Sequence, residues 1–207
     1  MPRKYTLTGC AIALALLSGC ANAPDSGTDP APATASAHQP QRDGDSSLWH
    51  VEGSATTLPE DDPDVIALQR AVALHSAAVD NRSADNVEDT LEAEYQHYSD
   101  GFNRMLEDQN HRASTEALYQ DHELQTRQLG VAWTTSSLSA DRNRAVVGFE
   151  SIFEFTAGDE TYLDERELEL DERYAQPREI TLVRAGEEWV IDNIEKGPLR
   201  AAATLGP

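Results

Sequence analysis

Val65, Leu68, Val72 and Val79 recur at spacings of three and four, and His75 falls on the same stripe. This is the mark of a helix that buries one face. Asp62-Pro63 opens it, with Asp62 as N-cap and Pro63 in the first turn, where a missing N–H has no cost. Ser83-Ala84-Asp85 begins a second helix, with Asp85 and Glu88 as its capping pair. Its stripe is Val87, Leu91, Tyr95, Tyr98, Phe102 and Met105, with Gly101 as a kink or an end. A short third helix is expected from Ser114 to His122.

The period then changes to two. Leu129, Val131 and Trp133 alternate with polar or small residues, as do Val147, Phe149, Ser151, Phe153 and Phe155. Such alternation predicts strands with one buried face. Turns stand at residues 139–143, at Gly158-Asp159-Glu160 and at Gln176-Pro177. The last two strands, Glu179 to Arg184 and Glu188 to Ile194, meet at Ala185-Gly186-Glu187. Residues 162–174 fit either element. They are rich in the helix formers Glu, Leu and Arg, yet short turns on both sides suit a further strand, which is the reading preferred here. That strand would set Glu165, Glu167, Glu169 and Asp171 on one face, and Asp164, Arg166, Leu168, Leu170 and Tyr174 on the other. The sum is one α+β domain over residues 59–198: two to three N-terminal helices packed on an antiparallel sheet of about five strands.

The front of the chain has a different grammar. Arg3 and Lys4 precede an apolar run over residues 10–17, too short for the roughly 20 residues that span a bilayer. Basic start, short apolar middle and small-residue exit describe a secretory signal over residues 1–19. The exit, Leu17-Ser18-Gly19-Cys20, resembles the lipobox of bacterial lipoproteins. A second match, Leu7-Thr8-Gly9-Cys10, has almost no apolar core before it, so Cys20 is favoured. The resemblance implies that the Cys20 sulfur carries a diacylglyceryl group and that the chain is cut before it. The lipid bilayer is then a partner through Cys20, since two or more acyl chains anchor stably where one does not. Ala21, rather than aspartate, follows the cysteine. In an envelope with two membranes, that pattern implies the periplasmic face of the outer membrane. With its sulfur occupied, Cys20 leaves the mature chain no disulfide or free thiol.

From Ala21 to Leu58 the sequence is rich in Ala, Pro, Ser, Thr, Asp and Gly and has no period. Such composition buries too little apolar surface to offset ordering entropy, so residues 20–58 read as a lipidated cysteine and a tether. Leu48-Trp49-His50-Val51 is its one sticky patch, an incidental one or a point of docking. Residues 199–207 read as a C-terminal tail.

The 207 residues carry 37 acidic and 16 basic side chains, net -21. The signal removes Arg3 and Lys4 and no acid, leaving -23 on the mature chain, whose one lysine is Lys196. Such a charge repels nucleic acid and anionic headgroups. It suits life at high salt, where screening relieves self-repulsion; the rival is an acidic surface for cations or a basic partner.

Helices followed by strands resemble the nuclear transport factor 2-like superfamily, as does the closing run Ile180-Thr181-Leu182-Val183-Arg184-Ala185-Gly186-Glu187-Glu188-Trp189-Val190-Ile191-Asp192. In that superfamily a strand, a Gly-containing turn and a Trp-led strand end the domain. The resemblance implies a curved sheet wrapping a long helix into a cone. A cystatin-like or other helix-plus-sheet domain fits the same order.

Chemistry is sparsely signposted. His38, His50, His75, His97, His111 and His122 form no HExxH motif and no pair four apart, so no metal site or cofactor is expected. There is no Gly-rich phosphate loop and no GxSxG elbow. The acidic strand face is a poor Ca²⁺ site, because alternate strand residues lie about 7 Å apart. Pocket candidates are His75, Tyr95, Tyr98, Trp133, Phe149 and Phe153, each of which also reads as ordinary core. Asp164 and Arg166 are weaker candidates. No catalytic motif of the resembled superfamily matches residue by residue. The reading is therefore a membrane-anchored envelope lipoprotein, non-catalytic, binding a protein partner or a small apolar ligand. The alternative is a cone-pocket enzyme of isomerase, dehydratase or hydrolase type, in which a buried carboxylate or His would meet a Tyr inside an open cavity.

Overall fold

The computed structural model describes residues 47–202; the signal, Cys20 and most of the expected tether lie outside the described residues. Helix α1 spans Pro63–Asp80, with the Asp62 side chain accepting the Asp64 N–H at 2.9 Å. Val65, Leu68, Val72 and His75 are buried as the stripe predicts, but the stripe ends on Ser76 and Asp80 rather than on Val79. The second expected helix is two: α2, Val87–Tyr95, and α3, Asp100–Asp108. Asn86, not Asp85, stands at the start of α2. The break lies ahead of Gly101, because the chain between α2 and α3 is claimed by the sheet. Ile191 N–H donates to His97 O and Ser99 N–H to Ile191 O, both at 2.8 Å. Ser99 then caps α3 through the Phe102 N–H. Helix α4, His111–Asp121, starts three residues before the expected Ser114.

The sheet has eight strands: β1 Trp49–Val51, β2 Thr57–Leu58, β3 Gln125–Trp133, β4 Ser136–Leu138, β5 Arg144–Ala157, β6 Arg173–Ala185, β7 Glu188–Lys196 and β8 Arg200–Ala201. Strands β5, β6 and β7 form an antiparallel meander. Both β3 and β4 pair with β5, and β8 pairs with β6. The sheet is mixed rather than wholly antiparallel, because β1 runs parallel to β4. Residues 49–51, read as part of the tether, thus belong to the fold. Trp49 is 1% exposed and among the largest fully buried side chains. Arg200 and Ala201, read as tail, likewise pair with Ala175 and Tyr174.

Residues 162–172 are not a strand, whereas Arg173 and Tyr174 open β6, which runs on through the expected turn at Gln176-Pro177. A short helix α5, Glu160–Asp164, is capped by Asp159, which accepts the Tyr162 N–H at 2.9 Å. A loop follows, with positive φ at Glu167 and Asp171. Only Leu163 of this stretch's leucines is buried, and Leu170 is exposed. A continuous strand would have needed an apolar partner face that these residues do not find.

Two apolar clusters result. The larger joins Trp49, α1, α2 and α3 to Phe149, Ile180, Leu182 and Ile191. The smaller holds Leu124, Phe153, Phe155, Leu163 and Tyr174. Polar residues lie between them along each strand: Ser151 separates Phe149 from Phe153 on β5, and Arg178 separates Tyr174 from Ile180 on β6.

Candidate functional site

The polar band is built from both layers. At the end of α1, Asp80 meets Arg178 from β6 through two bonds, Nη2 to Oδ1 at 2.6 Å and Nη1 to Oδ2 at 2.9 Å. Ser151 Oγ donates to Asp80 Oδ2 at 2.5 Å, and Arg178 Nε donates to Gln176 Oε1 at 3.1 Å. Arg82 Nη2 donates to Glu94 Oε2 of α2 at 2.6 Å, and its Nε to Thr90 Oγ1 at 3.0 Å. Asp80, Arg82, Glu94, Ser151 and Arg178 are all buried. Burying such charges is tolerable only because each is paired and hydrogen-bonded.

The Glu94 carboxylate links this band to the core. Its other oxygen accepts the Tyr98 hydroxyl. Burial would raise the Glu94 pKa, but the Arg82 charge and the hydrogen bonds from Tyr98 and Arg82 outweigh it and hold it low. Tyr98 gives its one proton to Glu94, so its oxygen must accept from His75 Nε2–H at 2.9 Å. His75 is then the neutral Nε2–H tautomer. Burial pulls its pKa down to about 3, and Nδ1 has no partner among the described residues.

Beside the band lies a cavity of about 280 Å³, lined by Asp80, Arg82, Glu94 and Arg178, by His111, Tyr119 and Thr126, and by Phe153 and Phe155 of the smaller cluster. Its remaining cation is Lys196, at the end of the edge strand β7. Lys196 is an exposed residue. Protein nonetheless crowds its ammonium group, and that desolvation, followed by the Arg178 charge, lowers its pKa.

No protein-family model matches the chain, and no curated protein sequence matches it. Solved structures similar to it include the following two. One is an IcmL-like type IV secretion system protein from Legionella pneumophila, at 8% identity over 69% of this chain and 97% of that one, TM-score 0.44. The other is the intermembrane space region of the chloroplast protein ARC6, at 15% identity over 70% of this chain and 100% of that one, TM-score 0.43.

Of the six pocket candidates named from the sequence, Phe153 alone lines the cavity. His75, Tyr98 and Phe149 belong to the filled core. Tyr95 bonds His111 Nδ1 at 3.3 Å, and the Arg112 guanidinium sits 4.3 Å over its ring. Trp133 is half-buried against Phe149, ring centroids 6.1 Å apart. Asp164 closes α5 and is exposed, and Arg166 stacks 3.8 Å over Tyr162, so the two share no strand face. Among the described residues no three His, Cys, Asp or Glu side chains gather as a metal site, and no helix is long and apolar enough to cross a membrane.

The charged lining went unread in the sequence, although its positions carry a signal. Asp80 lies four residues past Ser76 on the α1 stripe, and Glu94 three past Leu91. Arg178 lies two before Ile180 on the inward face of β6. Charged residues in phase with an apolar stripe mark a buried polar layer.

Proposed function

We propose that the chain is a lipid-anchored envelope protein whose nuclear transport factor 2-like domain serves as a non-catalytic binding module, with the charged cavity as its binding site. The observation that carries this reading is the state of the groups around the cavity. Both Glu94 oxygens are already occupied, and its low pKa makes it a weak base. His75 does meet a tyrosine, but behind Tyr98 and inside the filled core rather than in the cavity. An isomerase or dehydratase would need a base within reach of the proton it removes; the carboxylates of this lining are taken up by arginines, and its one imidazole, His111, is tied through Nδ1 to Tyr95. The lining also favours a polar ligand over the apolar one expected from the sequence.

Anchoring rests on Leu17-Ser18-Gly19-Cys20, outside the described residues. The test is labelled palmitate fed to cells making either the native chain or Cys20→Ser. The native chain should take up label and sediment with membranes, and the variant should do neither. An unlabelled native chain, or a variant that still sediments, would remove the anchor.

A further inference from the structure

We propose that the cavity recognises a small anion, a carboxylate or phosphate group, through Lys196 and the spare donors of Arg178 and Arg82. The inference rests on the cavity being the binding site and adds the class of its ligand.

Arg178 and Lys196 are direct partners in the β6–β7 register. Like charges directly opposite on an antiparallel pair repel. Asp80 neutralises Arg178 and Glu94 neutralises Arg82. Lys196 makes no ion pair within 4 Å among the described residues. Three cations therefore face two carboxylates around one cavity, in a chain whose net charge is -21. Glu94 and Asp80 act on the Lys196 charge across the cavity, but each is already paired with an arginine, and Glu150, Glu179 and Glu195, which share a neighbouring hollow with Lys196, make no ion pair with it.

Donors remain unused as well. A guanidinium has five N–H groups. Arg178 directs three of its own to Asp80 and Gln176, and Arg82 directs two to Glu94 and Thr90, its Nη1 making no hydrogen bond among the described residues. These guanidiniums are held rigidly by their carboxylates, so they can offer their remaining donors without further ordering cost. The volume of about 280 Å³ equals about nine waters at roughly 30 Å³ each, room for a compact anion. A partly desolvated site strengthens the charge-assisted bonds such an anion would accept.

The experiment is calorimetric titration of the lipidated full chain in non-ionic detergent. Sodium phosphate and sodium succinate are titrated separately, at low and at high sodium chloride. The native chain should bind at least one of them at a single site, and the preferred anion tells phosphate from carboxylate recognition. Binding should weaken with salt. Lys196→Gln should weaken it at least about tenfold, the scale of one charge-assisted contact. Lys196→Arg should keep it within a few fold, and Lys196→Gln, relieved of the repulsion from Arg178, should melt no lower than the native chain when unliganded. Failure of both anions to bind at about 10 mM, a limit beyond any useful affinity, overturns the proposal. So does a Lys196→Gln chain that binds as the native one does. A neutral ligand retained equally by native chain and Lys196→Gln would overturn anion recognition while leaving the cavity as the binding site. A ligand mapping away from the cavity would remove both.

Discussion

His75 offers a stability change whose size follows from its surroundings. It is 1% exposed, and burial lowers its pKa from 6.5 to about 3. As pH falls below about 6.5 the unfolded chain takes up a proton at this position while the folded chain does not. A group whose folded pKa is depressed therefore contributes stability above its unfolded pKa and loses it as pH falls. The loss is about 1.4 kcal/mol per pH unit, or roughly 2 kcal/mol between pH 6.5 and 5, and it continues until the folded pKa is reached. Urea unfolding followed by tryptophan fluorescence at about pH 7, 6 and 5 measures this, since Trp49 and Trp189 are both buried. His75→Gln should be less stable at pH 7, having lost its bond to Tyr98, but should decline more gently between pH 7 and 5. His97 and His111, whose pKa values burial also lowers, supply the slope that remains in both proteins. Identical slopes in the native chain and His75→Gln would refute a buried neutral histidine.

Two further substitutions probe the layers on either side. Asp80→Asn leaves Arg178 buried without its carboxylate and should cost about 3–5 kcal/mol in urea unfolding. A paired apolar replacement, Asp80→Leu with Arg178→Met, should recover most of that loss. Trp49→Ala should cost about 3–5 kcal/mol; a cost near zero would mean that β1 does not belong to the folded unit.

Legibility in the sequence tracked how local the cause was. Helix α1 could be read because Asp62, Pro63 and the stripe from Val65 to Val72 all act within a few turns. The β6–β7 hairpin could be read because Gly186, at positive φ, fits the turn its neighbours require. Strand β1 could not, since three residues carry no period, and Trp49 joins the main sheet through Ser136, which lies far off in sequence. The break between α2 and α3 is likewise imposed from outside, by Ile191 taking the backbone bonds of His97 and Ser99. Residues 162–174 misled because their helix formers and their alternation spoke with equal force, and the Asp159 cap decided the matter. The site was hardest. Asp80, Arg82, Glu94 and Arg178 come from separate parts of the chain, and only their pairing in space makes buried charge tolerable. Taken singly, each reads as an interruption of an apolar pattern rather than as part of a layer.

The proposed binding site should be occupied in the cells that make the protein. Native mass spectrometry of the chain, isolated gently from those cells in non-ionic detergent without added anions, measures that occupancy. The expected spectrum shows a chain beginning at lipidated Cys20 with one small anionic adduct in equal stoichiometry, and loss of that adduct in Lys196→Gln. A native chain carrying no adduct, or one whose adduct is untouched by Lys196→Gln, would contradict it.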